Sequence, residues 1–249
     1  MKNGEKSLAK VFEILEVIGR SRNGLRASDV VAALELPAST VCRMLKFLAD
    51  QSYLRKDGTA YMLGSGILRL GGFAREQNPL VQLARPFLAE LSDATGETVH
   101  LAELRGVSVV YLDKKEGCRS IRMGSMIGKT SPCYCTGVGK AILAFLPSAI
   151  REKRVREIVF SVFTPRTISC AEQLGKELGH IHEQGYAIDD GEHETGVFCV
   201  AAPILDGRGE AIAGISVSGA EVYLKNNVAE IIRQVTSISS RLSGKIEKC

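Results

Sequence analysis

No apolar run in the 249 residues approaches the roughly 18 that a membrane-spanning helix needs. The first ten residues are polar and charged, with no apolar stretch behind them. That argues against a secretory signal and for a cytoplasmic protein with no membrane partner. There is no C-x-x-C pair, so a zinc ribbon is not encoded. The seven cysteines (Cys42, Cys118, Cys133, Cys135, Cys170, Cys199 and Cys249) are odd in number and scattered, as reduced thiols are. Internal repeats and low-complexity tracts are missing. So are catalytic signatures. Gly137-x-Gly139-Lys140 lacks the second half of a P-loop, and neither G-x-S-x-G nor H-E-x-x-H occurs. Cys199 and His193 can be drawn as a nucleophile pair, but nothing activates the thiol. An enzyme is not expected, nor a cofactor.

Hydrophobic residues make up 45% and charged residues 24%, as in an ordinary globular protein. The net charge of +4 is unevenly placed. Residues 1–78 hold 12 Lys+Arg against 8 Asp+Glu, and residues 79–249 hold 20 of each. A basic small domain beside a neutral larger one suggests that the small one meets phosphate.

Apolar residues at helical spacing predict a helix over 6–20. A second runs over 28–34 with Ser28 as its N-cap, and a third over 38–51, with Pro37 between them. Residues 53–55 and 60–63 flank Asp57-Gly58, a hairpin signal. Helix, short helix, tight turn, long helix and hairpin is the order of a winged helix-turn-helix, placed at 1–64. A linker helix with weakened glycine-rich ends follows at 65–78. The second domain, 79–249, mixes hairpins and helices. Strands are expected over 98–104, 107–113, 120–124, 186–189, 197–205 and 210–218. Helices fall over 80–94, 139–146, 149–158, 169–184, with Ser169-x-x-Glu172 as a capping box, and from 228 onward. The fold class is α+β, with a mainly antiparallel sheet flanked by helices.

On the third helix, Ser39, Arg43, Lys46 and Asp50 share the face opposite Val41, Leu45 and Leu48. A hydroxyl-and-cation face can enter a major groove, although any amphipathic helix has a solvated face. Ser28, Ala38, Ser39 and Thr40 stand near helix starts, which favour phosphate. Arg43 can pair with guanine, Lys46 lies one turn on, and Lys56 beside the wing turn can reach a phosphate.

Ala38-Ser39-Thr40-Val41-Cys42-Arg43-Met44-Leu45 resembles the recognition helix of IclR-type transcriptional regulators. Further matches follow in order: Thr95-Gly96-Glu97-Thr98-Val99, Val109-Val110-Tyr111-Leu112-Asp113, Gly139-Lys140-Ala141, Gly185-Tyr186-Ala187, the run 196–203 and Ile215-Ser216-Val217-Ser218-Gly219. The resemblance covers nearly the whole chain. It implies a GAF-like effector domain, palindromic double-stranded operators, and homodimers or homotetramers. It also implies an effector pocket at Gly137, Val138, Asp189, Cys199, Ser216 and Ser218. Similar sequences are known as repressors of sugar-acid catabolism and as regulators of aromatic or glyoxylate metabolism, so the resemblance implies an organic acid as effector. Two departures stand out. Tyr134, flanked by Cys133 and Cys135, replaces a common histidine, so the pocket chemistry is expected to differ. Gly191 interrupts the acidic run at 189–194. The alternative reading is a metal- or thiol-redox-sensing regulator using Cys133, Cys135 and Cys199 with Asp189 and His193, the first two on one strand face.

Overall fold

The computed structural model describes residues 3–119 and 124–246. Two compact units, Met1–Gln77 and Asn78–Cys249, make up the chain.

In the first unit, α1 (Asn3–Gly19), α2 (Ala27–Leu34) and α3 (Ala38–Asp50) precede a hairpin of β2 (Leu54–Asp57) and β3 (Ala60–Leu63). The helices' apolar faces close on one core containing Ile14, Ile18, Val30, Val41, Leu45 and Leu48. The hairpin turns at Gly58-Thr59, where Gly58 takes φ +57°. An additional strand, β1 (Leu25–Arg26), pairs with β3. Two residues carry no periodicity, so the sequence does not announce it. Ser28 is not the N-cap of α2. The helix begins at Ala27, and the Asp29 carboxylate accepts the backbone N–H of Arg26 at 3.0 Å. An acid at the third helical position reaches back to the cap residue and moves the start upstream. α2 ends because Glu35 takes φ +51°, two residues before Pro37. α4 (Ser65–Glu76) follows the hairpin, with Gly71 and Gly72 in its interior.

The second unit opens with α5 (Pro79–Thr95), capped by the Asn78 side chain, which accepts from the N–H groups of Leu80 and Val81. Six strands then build one sheet: β4 (Thr98–Arg105), β5 (Ser108–Lys115), β6 (Thr130–Pro132), β7 (Ala187–Asp190), β8 (Val197–Leu205) and β9 (Ala211–Ala220). Their order is β6-β5-β4-β9-β8-β7, and every pairing is antiparallel. The strand expected over 120–124 falls outside the described residues except for Gly124, which lies in a bend. Val99, Leu101, Phe198, Val200, Ile204, Ile215 and Val217 pack with α5 and the final helix, 228–246, in one core. Alternate positions point to the other face. There α6 (Gly137–Ala144) and α8 (Ala171–Gln184) cover the sheet, with α7 (Ser148–Glu157) between them in the chain.

Three local readings change. α6 starts at Gly137, two residues earlier than its periodicity suggests. Residues Cys133–Cys135 form a 3-10 turn, so the two cysteines share no strand face. A Cβ on Gly139 would stand 2.4 Å from the Cys133 carbonyl oxygen, so only glycine lets α6 lie against that turn. Ser169 does not cap α8. Its N–H and hydroxyl both go to Gln173 Oε1, at 3.2 and 3.4 Å, and the helix starts at Ala171.

Lys140 of α6 is among the largest fully buried side chains. Its ammonium pairs with Glu192 and, at 3.1 Å, with Glu177 of α8. Burial opposes the charge, but the two carboxylates outweigh it and keep the lysine pKa above its ordinary value. The contact ties α6 to α8 and to the loop between β7 and β8. Thr164 and Thr167 hold the same loop by donating to the carbonyls of Gly191 and Glu192, at 2.7 and 2.6 Å.

Lys140→Met leaves the Glu192 carboxylate buried without its cation. It should cost about 3–5 kcal/mol in urea unfolding. Adding Glu192→Gln should return much of that loss. A single variant as stable as the parent would show that the pair does not hold this region.

Candidate functional site

Two sets of residues are candidates, one in each unit. On α3, Val41, Met44, Leu45 and Leu48 are buried, and Ala38, Ser39, Arg43 and Lys46 are exposed on the opposite side. Thr40 is half-buried, and its backbone N–H donates to the Pro37 carbonyl at 2.9 Å. No acid among the described residues pairs with Arg43 or Lys46. Ser28 is exposed in the first turn of α2, and its hydroxyl lies 3.3 Å from the Asp29 carboxylate. On the wing, Lys56 Nζ lies 5.8 Å from the Tyr61 ring centroid. Arg26 and Arg55 are exposed cations in the same unit that the helical pattern did not single out. Arg55 leans on Asp57 at 3.7 Å.

In the second unit, strand register brings distant polar residues together. His100 lies opposite Ser216, Thr98 and Cys199 lie opposite Ser218, and Asp189 lies opposite Cys199. The N-terminus of α6 meets this patch. There a Cβ on Gly137 would stand 3.4 Å from that of Cys199 and 3.6 Å from the Asp189 backbone nitrogen. The space between is a cavity of about 60 Å³. That suits roughly four waters or a compact organic anion. Gly137, Val138, Asp189, Cys199, Ser216 and Ser218 all line it.

The first helical hydrogen bond of α6 is Lys140 N–H to the Thr136 carbonyl, at 3.0 Å. The N–H groups of residues 137–139 therefore have no helical partner and attract negative charge. Ser216 is 3% exposed, lines the cavity, and has no hydrogen-bond partner among the described residues. His100 Nε2 lies 2.7 Å from Ser125 Oγ, and its Nδ1 lies 3.4 Å from Ser218 Oγ. Burial, reinforced by the Lys114 charge, pushes the His100 pKa down to about 3, so the ring is neutral. Burial raises Tyr111 to about 12 and pushes the Cys199 thiol well above its usual range. The cavity thus offers hydroxyls, a neutral imidazole, backbone donors and the Asp189 carboxyl, with the exposed Lys129 and Glu194 also in its lining and no thiolate.

His100, Tyr111, Ser125, Lys129, Ser131 and Thr136 also line the cavity, and the motif reading did not select them. Alternation along β4 sets His100 apart from Val99 and Leu101, but its pairing with Ser216 across about 116 residues has no local signature. Tyr134, by contrast, is not in the lining. Its hydroxyl donates to the Ser161 carbonyl and accepts from the Ser161 N–H, both at 2.8 Å, and so anchors a loop. The pocket therefore does not differ through Tyr134 itself. Cys133 and Cys135 are buried in the apolar core on α6, and burial raises Cys133 to about 12. Among the described residues no His, Cys, Asp or Glu cluster could hold a metal ion. Nothing among the described residues therefore supports the metal- or thiol-sensing alternative. A wider depression of about 450 Å³ lies along β8 and the last helix. Its serines Ser239 and Ser243 already donate to backbone carbonyls. None of the described helices is long and apolar enough to cross a membrane.

Comparison with known proteins agrees across both units. Residues 7–58 match the IclR helix-turn-helix domain, and residues 73–244 match the bacterial transcriptional regulator IclR C-terminal family. The chain is 36% identical over 218 residues to the HTH-type transcriptional regulator BhcR of Paracoccus denitrificans, covering 87% of this chain and 78% of that one. It is 32% identical over 222 residues to the HTH-type transcriptional repressor AllR of Salmonella typhimurium, covering 87% and 80%. The crystal structure of Thermotoga maritima IclR shares the fold with a TM-score of 0.78 and 30% identity, covering 98% of this chain and 99% of that one. These relatives are regulators of transcription, not enzymes. With both halves matched in order, the chain belongs to the IclR family of bacterial transcriptional regulators.

Proposed function

We propose that this regulator is a repressor that binds a palindromic operator and is released or modulated by a small organic acid, of the sugar-acid or a related class, in the pocket of residues 79–249. One observation carries the effector assignment. The Ser216 hydroxyl, which has no hydrogen-bond partner among the described residues, and the open N–H groups at the start of α6 line one cavity. Unused donors and an unused hydroxyl lining one space suit an oxygen-rich ligand that can accept from all of them.

The DNA-binding residues in this reading are Ser28, Ala38, Ser39, Thr40, Arg43, Lys46 and Lys56, within a domain of residues 1–64. A dimer or a dimer of dimers would set its recognition helices about 34 Å apart, or a multiple of that. Self-association is supported by the exposed Leu8 and Phe12 on α1 and Leu68 and Phe73 on α4, between 55% and 78% accessible. Effector would act through the linker of residues 65–78, where Gly71 and Gly72 weaken the helix. The ligand must prefer one arrangement of that linker, since equal affinity for both shifts nothing.

Arg43→Ala should cost about 1–3 kcal/mol of binding to an operator selected from random DNA, with effector-induced stabilisation intact. Unchanged operator affinity in a filter-binding titration would refute the recognition-helix assignment. A screen of sugar acids, oxo acids and aromatic acids by thermal shift should give a hit worth about 2.7 kcal/mol at 100 times its Kd. Ser216→Ala should abolish that hit, and a hit that persists would move the site elsewhere. Cβ atoms at Gly71 and Gly72 would meet nothing within 4 Å, so the double alanine variant fits the fold and stiffens α4. It should need more effector to release operator. Release at the parental concentration would remove the hinge from the mechanism.

A further inference from the structure

The pocket that offers N–H groups to an anion also holds a carboxyl group with no cation of its own. Asp189 is 3% exposed, and its Oδ1 accepts the Glu192 N–H at 2.7 Å. The groups that face it come from five elements: Lys140 of α6, Glu192 and His193 of the β7–β8 loop, Cys199 of β8, Cys135 of the 3-10 turn and Tyr111 of β5. Lys140 is the one cation in that set, and Glu192 and Glu177 already hold its ammonium. Lys129 and Glu194, which also line the cavity, are exposed and opposite in charge. An anion seated on the N–H groups of Gly137 and Val138 would therefore lie beside Asp189 in about 60 Å³. Two negative charges in one buried site repel, and the usual resolution is a shared proton.

We propose that the pocket takes a small monocarboxylate together with one proton, which resides on Asp189 so that its carboxyl donates to the ligand. This rests on the reading of the cavity as the effector site. Burial supports it by raising the Asp189 carboxyl to about 7, against the lowering effects of the Glu192 and His193 N–H bonds and of the Lys140 charge. His100 does not take the proton, since burial pushes its own pKa down to about 3. The sign follows. Below about pH 7 the proton is already in place, and affinity is level. Above it each ligand must draw a proton in, and affinity falls about tenfold per pH unit.

The test is calorimetric titration of the full chain with pyruvate and with lactate, in paired buffers of different ionisation enthalpy. The expected result is a Kd that rises about tenfold between about pH 7.5 and 8.5, with close to one proton taken up per ligand. Asp189→Asn, which keeps an acceptor and a donor but cannot ionise, should bind with pH-independent affinity and more tightly than the parent at the upper pH. Proton-free, pH-independent binding by the parent would overturn the proposal. So would loss of binding in an Asp189→Asn variant that melts like the parent, or no heat with either acid in both proteins. Ser216→Ala separates two failures. Binding without proton uptake that Ser216→Ala abolishes defeats only this inference, and binding that survives Ser216→Ala defeats the pocket assignment itself.

Discussion

A buried cation anchors the architecture of the second unit. Lys140 lies in the first turn of α6, 1% exposed, with Glu192 and Glu177 as its partners. Moving a charge out of water is costly, so the site is stable only while all three groups keep their places. That requirement fixes α6 against α8 and pins the loop that follows Asp189. The open N–H groups of residues 137–139 lie in the same first turn of this short helix, directly before Lys140. The lysine therefore serves the pocket without lining it, by holding the helix that presents those donors.

The sheet supplies the rest. Because alternate residues on a strand face opposite sides, β8 and β9 send Phe198, Val200, Ile215 and Val217 into one core. The same alternation turns Cys199, Ser216 and Ser218 toward the cavity. Register then sets His100 beside Ser216 and Asp189 beside Cys199. A one-residue slip in any of these pairings would exchange core and pocket faces, so the apolar core specifies the polar site as firmly as it specifies the fold.

In the first unit the same logic acts through a helix. The core residues Val41, Leu45 and Leu48 orient α3, and this leaves Arg43 and Lys46 outward with no acid among the described residues to neutralise them. Local chemistry that shifts element ends, such as the reach of Asp29 back to Arg26, changes caps but not this facing. The departure at Tyr134 is also local. Its hydroxyl is consumed by Ser161, which keeps the tyrosine out of the cavity.

Sequence alone determined what depends on nearest neighbours and period. The helices of the first unit, the Asp57-Gly58 turn and the alternating strands β8 and β9 follow from spacing that a reader can count. The six motif residues of the pocket came from family resemblance, and their convergence could not be counted. Tertiary structure decided which strands pair, and hence that His100, Ser125 and Lys129 join the lining. It also decided that Cys133 and Cys135 belong to the core and that Lys140 has two acids for partners. The physical reason is range. Helix period and turn chemistry act over a few residues, whereas burial, pairing register and charge compensation act between groups that only the folded chain brings together.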